Sequence, residues 1–383
     1  MAGESGILKY IFQFIIICLI WSIVFGIHAP EKIFASAEPE KTNWGDSDPK
    51  TPGEKPGQVN LYIPLVGTVH TDSIQNYLQM MDLSRITETT SVLVNQYGPR
   101  HHDFNRIFID DHCTLGGQPF YNHNLIRSSK YVFHSLEALG YAPLKEWLPD
   151  WHGTYNVTAT KGGSQYPDVY IEIGAHVDTV ATTPGASDNA GAVAAVIEMA
   201  RVLKDYPNRH SIRFVIYVGE EEYLVGSRYH VDQIAAAGEK IKAALILDGN
   251  GWSEDAPQHM NCLWDNGEAE TRRLSELFNS ARIDYGIDIG WRLCSPDGQW
   301  SDNYAYWEHG LPAVLSIGGL PYAEPNYHQC GDNMNSIDML NVFKTAQENL
   351  AVVLKLDAEE TRLERLSPVE PILPIPLDEG ISH

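Results

Sequence analysis

The segment IRFVIYVGEEEYLVGS (residues 212–227) decides the fold. Its first seven residues form an almost continuous apolar run, as in a buried strand, and Gly219 and three adjacent glutamates follow at once. Like charges packed together repel, and beside a low-dielectric interior at least one of the glutamates must take up a proton. Either all three therefore point into water, or something positive holds them.

Segments with the patterns of strands and helices alternate on both sides of this stretch. Strand patterns cover residues 168–175, 211–218, 243–248 and 312–319. Helical periodicity covers residues 73–97, 124–139, 190–205, the segment from the glutamates to about 237, 274–283 and 336–360. Such alternation implies βαβ units, so the sequence predicts an α/β fold with a twisted, mostly parallel (mixed) sheet sandwiched between helices.

The composition limits the partners of the chain. Its 383 residues are 43% hydrophobic, with 27 Lys and Arg against 50 Asp and Glu and a net charge of -23. Nucleic acid is not an expected partner, because phosphate binding requires a basic face. A strongly acidic surface suits a protein exposed to salt or to the outside of a cell.

The N-terminal residues predict export from the cytoplasm. An apolar run at 11–27 precedes the triplet Ala35-Ser36-Ala37, which is typical of a signal-peptide cleavage site. The run also approaches the roughly 20 residues that span a bilayer, so residues 1–37 are either a signal peptide or a membrane anchor. In both cases we expect a secreted, periplasmic or extracellular protein, with membrane contact only through an uncleaved N-terminal segment.

The remaining chain divides by composition. Residues 38–59 are rich in Pro, Gly and charge, so we expect a linker there. We expect one domain over residues 60–360 and a proline-rich tail over residues 361–383. Outside the N-terminal segment, the cysteines are Cys113, Cys262, Cys294 and Cys330. Four cysteines allow three pairings, and we expect a disulfide among the last three.

Residue types that bind metals recur where the predicted strands end. In open α/β sheets, ligands bind beyond the carboxyl ends of the strands. The residues there are His176, Asp178, Asp188, Glu220, Glu221, Asp248, His328 and Asp332. Histidines and carboxylates from separate strands suit zinc, and two zinc ions about 3.5–4 Å apart need a bridging carboxylate. Each motif alone has an ordinary interpretation, such as a helix cap or a solvated run of glutamates, but their joint order favours a metal site.

The same motifs resemble those of a known family. HVD (176–178), SDNAG (187–191), GEEEYLVGS (219–227), LD (247–248) and YHQCGD (327–332) are similar, in order and spacing, to motifs of the co-catalytic (di-zinc) aminopeptidase family of secreted zinc exopeptidases. Glutamate carboxypeptidases and glutaminyl cyclases are related to that family. The resemblance implies a zinc-exopeptidase-like fold and hydrolysis of N-terminal amino acids from peptide substrates with a free N-terminus.

The resemblance also implies two zinc ions per chain. His176 and Asp248 would bind one ion, Glu221 and His328 the other, and Asp188 would bridge both.

The resemblance also implies roles for the residues around these ligands. Glu220 would be the general base that takes a proton from the attacking water and passes it to the leaving amine. Asp178 would orient His176 through its other ring nitrogen, and Asp332 is expected to orient His328. The family places a glycine five residues after its metal-binding glutamate, and Gly226 stands five residues after Glu221, so the resemblance implies that Glu222 falls outside the site.

Some features leave alternatives open. Pro296 stands where some family members carry a tyrosine that helps hold the oxyanion, so the oxyanion donor is unassigned. Asp302 resembles a family Ser-Asp pair, but we favour an indirect role, and for His101 and His102 we expect surface or structural roles. The alternative functions are a glutaminyl cyclase-like enzyme with a single zinc, a carboxypeptidase of the same family and a non-catalytic binding relative. The complete ligand set and Glu220 argue against the last.

Overall fold

The computed structural model of the protein describes residues 71–101, 124–149, 151, 153–295 and 301–360. The predicted signal or anchor segment, the linker and the C-terminal tail lie outside these residues. The described strands are β1 (Leu144–Trp147), β2 (Tyr155–Lys161), β3 (Tyr166–His176), β4 (His210–Tyr217), β5 (Lys240–Leu247), β6 (Met260–Trp264), β7 (Gly290–Ser295) and β8 (Ala313–Ile317). The described helices are α1 (Thr71–Gln79), α2 (Leu83–Tyr97), α3 (Asn124–Ala138), α4 (Gly191–Leu203), α5 (Val225–Ala236), α6 (Ala269–Asp284), α7 (Asn303–Glu308) and α8 (Met339–Ala358). None of these helices is long and apolar enough to cross a membrane.

The strands form one mixed sheet in the order β1-β2-β4-β3-β5-β8-β6-β7. The central strands β4, β3, β5 and β8 are parallel neighbours, whereas β2 pairs antiparallel with β4 and β6 pairs antiparallel with β8. This sheet confirms the predicted fold class. Because the central strands are parallel, their carboxyl ends meet at one edge, where the site residues follow.

Both faces of the central strands are buried. On β4, Ile212 and Phe214 pack into one core, and Val215 and Tyr217 pack into another on the opposite face. Residues of α2, α3, α4, α6 and α8 contribute to the first core, and residues of α5 and α7 contribute to the second. A strand that is buried on both faces carries an almost continuous apolar run, which explains why IRFVIYV is recognisable in the sequence.

Two parts of the secondary structure differ from the sequence prediction. The segment 73–97 is not one helix, because Asp82 separates α1 from α2 and caps α2 by accepting a hydrogen bond from the Ser84 N–H at 2.8 Å. The strands β1, β2, β6 and β7 were not predicted. They form the two outer pairs of the sheet and are short or contain polar residues, so their apolar pattern is weak.

Candidate metal centre

The predicted site residues lie together at the carboxyl edge of the central strands. His176 is the last residue of β3, Asp248 follows β5, and Glu220 and Glu221 follow β4 after a short turn. They form two groups, and within each group the possible ligand atoms all lie within 4.8 Å of one another. The first group is His176, Glu220 and Asp248, and the second is Asp188, Glu221 and His328. All residues that the sequence predicted as metal ligands are therefore present at one centre, together with Glu220.

Asp188 joins the two groups. Its Oδ1 lies 3.3 Å from Nε2 of His176, and its Oδ2 lies 3.2 Å from Nε2 of His328. Asp248 Oδ1 lies 3.3 Å from the same nitrogen of His176, and Glu221 Oε2 lies 3.1 Å from the same nitrogen of His328. Each ring nitrogen is therefore shared by two carboxylates, and one carboxylate is common to both histidines.

The turn between β4 and the glutamates depends on glycine. Gly219 has a φ of 75°, and a Cβ there would lie 2.6 Å from the Trp151 ring. A Cβ at Gly226 would lie 2.1 Å from the carbonyl oxygen of Val218. These two glycines let the chain turn closely enough to place Glu220 and Glu221 at the sheet edge.

The electrostatics of the centre show a deficit of positive charge. Burial raises the pKa of Glu221, and the neighbouring Asp188 raises it further, to about 7. Burial likewise raises the pKa of Glu220 well above its usual value. Burial alone would lower the pKa of His328, but hydrogen bonds to Asp188 and Glu221 raise it to about 10. Bound cations would stabilise the charged form of these crowded carboxylates.

The donor set fits zinc. Imidazole nitrogens and carboxylate oxygens are the ligands that zinc takes in catalytic sites, and both kinds are present in each group. A carboxylate with one oxygen toward each group, as in Asp188, is the arrangement that two adjacent ions require. The residues therefore fit a pair of divalent metal ions.

Asp178 supports both sides of the centre. Its backbone carbonyl lies 3.2 Å, and its Oδ1 3.6 Å, from Nδ1 of His176, so it faces the ring nitrogen that points away from Asp188. Its carboxylate also accepts hydrogen bonds from the backbone N–H groups of Glu220 and Glu221, at 3.3 and 3.2 Å. Asp178 thus links the end of β3 to the turn after β4, as well as facing the histidine as predicted.

Asp332 plays a different part from the expected one. Its carboxylate accepts hydrogen bonds from the backbone N–H groups of Ser187 and Asp188, at 2.7 and 3.1 Å. It was expected to orient His328, but His328 adopts a φ of 57° and the chain then turns. This turn carries Asp332 to the backbone of Asp188, where it fixes the carboxylate shared by the two groups.

Glu222 lies outside both groups, in agreement with the register predicted from Gly226. Its Oε1 lies 2.6 Å from Nε2 of His101, and the Glu222 side chain is about a quarter exposed. The third glutamate of the run therefore pairs with a histidine of the segment before the sheet, whereas Oε1 of Glu221 accepts a hydrogen bond from the Val180 N–H at 3.1 Å.

Arg100 is the supporting residue that the sequence prediction missed. It is fully buried, and its guanidinium donates hydrogen bonds to the carbonyl oxygens of Val177 at 2.6 Å, Pro184 at 2.7 Å and Gly185 at 2.9 Å. Two further acceptors are the carbonyls of Leu93 and Gly98. Arg100 thus holds the loop that joins His176 to Asp188, and the sequence offers no spacing or charge pattern that reveals this contact.

Asp302 is a further acidic residue near the centre. It is fully buried where α7 begins. Burial, together with Asp178 and Asp248, raises the pKa of Asp302 to about 7. The side chain belongs to the acidic surroundings of the centre, while Pro296 lies outside the described residues.

A cleft opens beside the two candidate ligand groups. Its apolar walls are formed by Trp252, Trp264, Leu315, Ile317 and Leu320, and its acidic lining by Asp188, Glu220, Asp248 and Glu324. Tyr327 and Ser301 also line the cleft. We call this space the side-chain cleft.

One disulfide lies near the cleft. Cys262 on β6 is bonded to Cys294 on β7, with the two Cα atoms 5.6 Å apart. This confirms the expected disulfide among the last three cysteines, whereas Cys113 lies outside the described residues.

Comparison with known proteins identifies the family of the chain. The model of Peptidase family M28 matches residues 156–354, just over half of the sequence. The chain belongs to peptidase family M28. The matched segment begins at β2 and ends within α8, so it contains all the candidate metal ligands described above.

Curated relatives of this M28 protein include several aminopeptidases. Aminopeptidase YwaD of Bacillus subtilis is 30% identical over 179 residues, which are 45% of this chain and 38% of the relative. An aminopeptidase of Pseudomonas aeruginosa is 38% identical over 171 residues, or 44% of this chain and 31% of the relative. The matched part therefore spans less than two-fifths of each of these relatives.

Solved structures share the M28 fold. The LapA aminopeptidase of Legionella pneumophila aligns with a TM-score of 0.66 and 19% identity, covering 80% of this chain and 78% of LapA. BSAP, a zinc aminopeptidase from Bacillus subtilis, aligns at 0.56 and 16% identity, covering 76% and 98%. A glutaminyl cyclase of Bacteroides thetaiotaomicron aligns at 0.54 and 18% identity, covering 73% and 99%. At these identities the likeness concerns the fold.

Proposed function

We propose that this protein is an extracytoplasmic aminopeptidase that binds two zinc ions per chain and hydrolyses N-terminal amino acids from peptides. The observation that carries the proposal is the Asp188 carboxylate, whose two oxygens face His176 and His328 at 3.3 and 3.2 Å. A carboxylate with one oxygen toward each ligand group is the arrangement that suits two adjacent metal ions. The aminopeptidases among the curated relatives support the same function.

Each residue of the two groups has a place in this proposal. His176 and Asp248 hold one zinc ion, Glu221 and His328 hold the other, and Asp188 is shared. When bound, a pair of zinc ions polarises the substrate carbonyl and lowers the pKa of water toward neutrality.

Glu220 is the residue proposed to move protons. Its Oε2 lies 3.9 Å from Nε2 of His176, and its side chain is almost completely buried. A buried carboxylate whose pKa lies above its usual value can accept a proton from the attacking water and release it to the leaving amine. Asp178 keeps this carboxylate in place through the backbone N–H of Glu220.

Tyr327 is the proposed donor to the oxyanion. Its ring stacks on His328 with the centroids 3.8 Å apart, and it lines the side-chain cleft. Burial and the surrounding carboxylates raise the pKa of Tyr327 above its usual value, so the hydroxyl keeps its proton and can donate to the oxygen on which charge develops. Tyr327→Phe should lower kcat while the zinc content stays unchanged, and an unchanged kcat would remove Tyr327 from this role.

The side-chain cleft indicates the substrate. Its tryptophan and aliphatic walls suit an apolar side chain, and its carboxylates suit a protonated amine. We therefore expect cleavage of peptides with a free N-terminus and an apolar first residue.

Nitroanilide substrates test this function. Zinc-loaded protein should release nitroaniline from leucine nitroanilide and not from its N-acetylated form. Conversion of a glutaminyl substrate to a pyroglutamyl product without nitroanilide cleavage would replace the proposal by a cyclase. Release of residues only from the C-terminus would replace it by a carboxypeptidase, and no turnover of any of these substrates would favour a binding protein.

The extracytoplasmic location is part of the proposal. It is supported by the apolar run at 11–27, by the Ala35-Ser36-Ala37 triplet and by the Cys262–Cys294 disulfide, since disulfides persist in oxidising compartments. Fractionation of cells that produce the full chain should recover it outside the cytoplasm. Recovery from the cytoplasm with an intact N-terminus would contradict this location.

A further inference from the structure

Glu324 is a carboxylate of the side-chain cleft that belongs to neither metal-binding group. When two divalent ions are bound, their positive charges are matched by Asp188, Glu220, Glu221 and Asp248. Glu324 then has no cation of its own, because no Lys, Arg or His side chain is among the described residues that line the cleft.

Glu324 is held in a defined position. Its Oε2 accepts a hydrogen bond at 3.2 Å from the Ser187 hydroxyl, and Ser187 directly precedes Asp188. Its backbone N–H donates to the Pro321 carbonyl at 3.0 Å, and its own carbonyl accepts from the Tyr327 N–H at 3.2 Å. The carboxylate is thus fixed beside the metal groups, on the same short turn that places Tyr327.

The surroundings of Glu324 favour a cationic ligand. Burial raises the pKa of Glu324 to about 8, and Asp332, Asp188 and Asp248 contribute in the same direction. A positively charged group from the substrate would relieve this repulsion. When the scissile carbonyl of a peptide lies at the metal groups, the α-ammonium group is two bonds from the carbonyl carbon, whereas the first side chain points into the apolar part of the cleft.

We infer that Glu324 binds the α-ammonium group of the first residue of the substrate and so selects peptides with a free N-terminus. This assignment rests on the proposed aminopeptidase function and names the residue responsible for its substrate class. A charge-assisted hydrogen bond contributes about 1.5–3 kcal/mol, so loss of the carboxylate should weaken amine binding about 10- to 100-fold.

The test compares two ligands that differ only in the amine. L-leucine and 4-methylpentanoate share a carboxylate and an apolar side chain, and neither can be hydrolysed. Calorimetric titration of zinc-loaded wild-type protein should show tighter binding of L-leucine. Glu324→Gln should weaken L-leucine about 10- to 100-fold and leave 4-methylpentanoate unchanged, while Glu324→Asp should keep part of the preference.

A neighbouring carboxylate supplies the matched control. Glu254 accepts a hydrogen bond at 3.3 Å from the backbone N–H of Leu320, which lines the cleft. Glu254 already has its cation in an ion pair with Arg292, so Glu254→Gln should keep the preference for L-leucine. An unchanged preference in Glu324→Gln, with normal zinc content, would overturn the inference. A parallel titration with L-lysine tests the side chain: if Glu324→Gln weakened only L-lysine and left L-leucine unchanged, Glu324 would bind the side-chain amine and the inference would also be overturned. If leucine nitroanilide is cleaved by the wild type and the preference survives in Glu324→Gln, the inference fails alone. If wild type and variants bind as expected without nitroanilide cleavage, the proposed function fails alone.

Discussion

Replacing Arg100 by methionine tests how the loop between His176 and Asp188 is held. Methionine fills a similar volume but has no donor, so the buried carbonyls of Val177, Pro184 and Gly185 lose their hydrogen bonds. These carbonyls are spread along the loop that joins His176 to Asp188. The substitution therefore disturbs stability and metal binding together.

The size of the effect follows from the contacts. A buried acceptor without a partner costs about 1–3 kcal/mol, so the loss of all three partners predicts a decrease of at least about 3 kcal/mol in the free energy of unfolding. For a domain of this size, 1 kcal/mol corresponds to about 2–4 °C in Tm. We expect Arg100→Met to lower Tm by at least about 6 °C and to reduce the zinc retained after dialysis.

The matched control is Arg228→Met. Arg228 pairs with Glu308 at 2.9 Å, but its side chain is 43% exposed, and such surface pairs contribute about 0–1 kcal/mol. Calorimetry of both zinc-loaded variants, with metal analysis of the same samples, measures the difference. If Arg100→Met melted within about 2 °C of Arg228→Met and kept its zinc, the reasoning about Arg100 would be wrong.

Further predictions concern the glutamate run and a buried histidine. Glu220→Gln should lower kcat about 10²–10⁴-fold and retain both metals, whereas Glu222→Gln should stay near the wild-type rate; the reverse pattern in nitroanilide assays would move the register by two residues. His230 lies 3.0 Å from Glu146 and 3.5 Å from Glu172, and although burial lowers its pKa, these two carboxylates raise it to about 10. Because the folded pKa lies above the unfolded value of about 6.5, this stabilisation is complete below pH 6.5 and is lost as the pH rises toward 10. The difference in unfolding free energy between wild type and His230→Gln, from urea titrations, should therefore shrink from pH 6 to pH 10, and a constant difference would exclude this ion pair as its source.

The central strands and the grouping of the candidate metal ligands could be predicted from the sequence because both leave strong local signals. IRFVIYV is buried on both faces, and parallel strands bring His176, Glu220 and Asp248 to one edge. Two outer strands left weaker signals because they are short, with four residues in β1 and five in β6. The alternation of apolar and polar residues in YNVTATK of β2 is typical of a strand and could have been recognised.

The supporting contacts could not be predicted, because they depend on how distant segments meet. Arg100 reaches carbonyl groups nearly 80 residues away, and Asp332 contacts the backbone of Asp188 across 144 residues. A backbone acceptor has no sequence signature, so a partner of that kind leaves no pattern. The misassigned role of Asp332 has the same origin, since only the turn after His328 decides which group its carboxylate meets.

The most direct test of the two-metal centre is the number of zinc ions bound at saturation. Mass spectrometry of the intact protein under native conditions, after zinc loading and removal of excess metal, should show two ions per chain for the wild type. Asp188→Ala should lose the most metal of any single ligand substitution, because Asp188 faces both histidines. A wild-type chain that holds only one zinc ion at saturation, with Asp188→Ala holding the same number, would contradict the account.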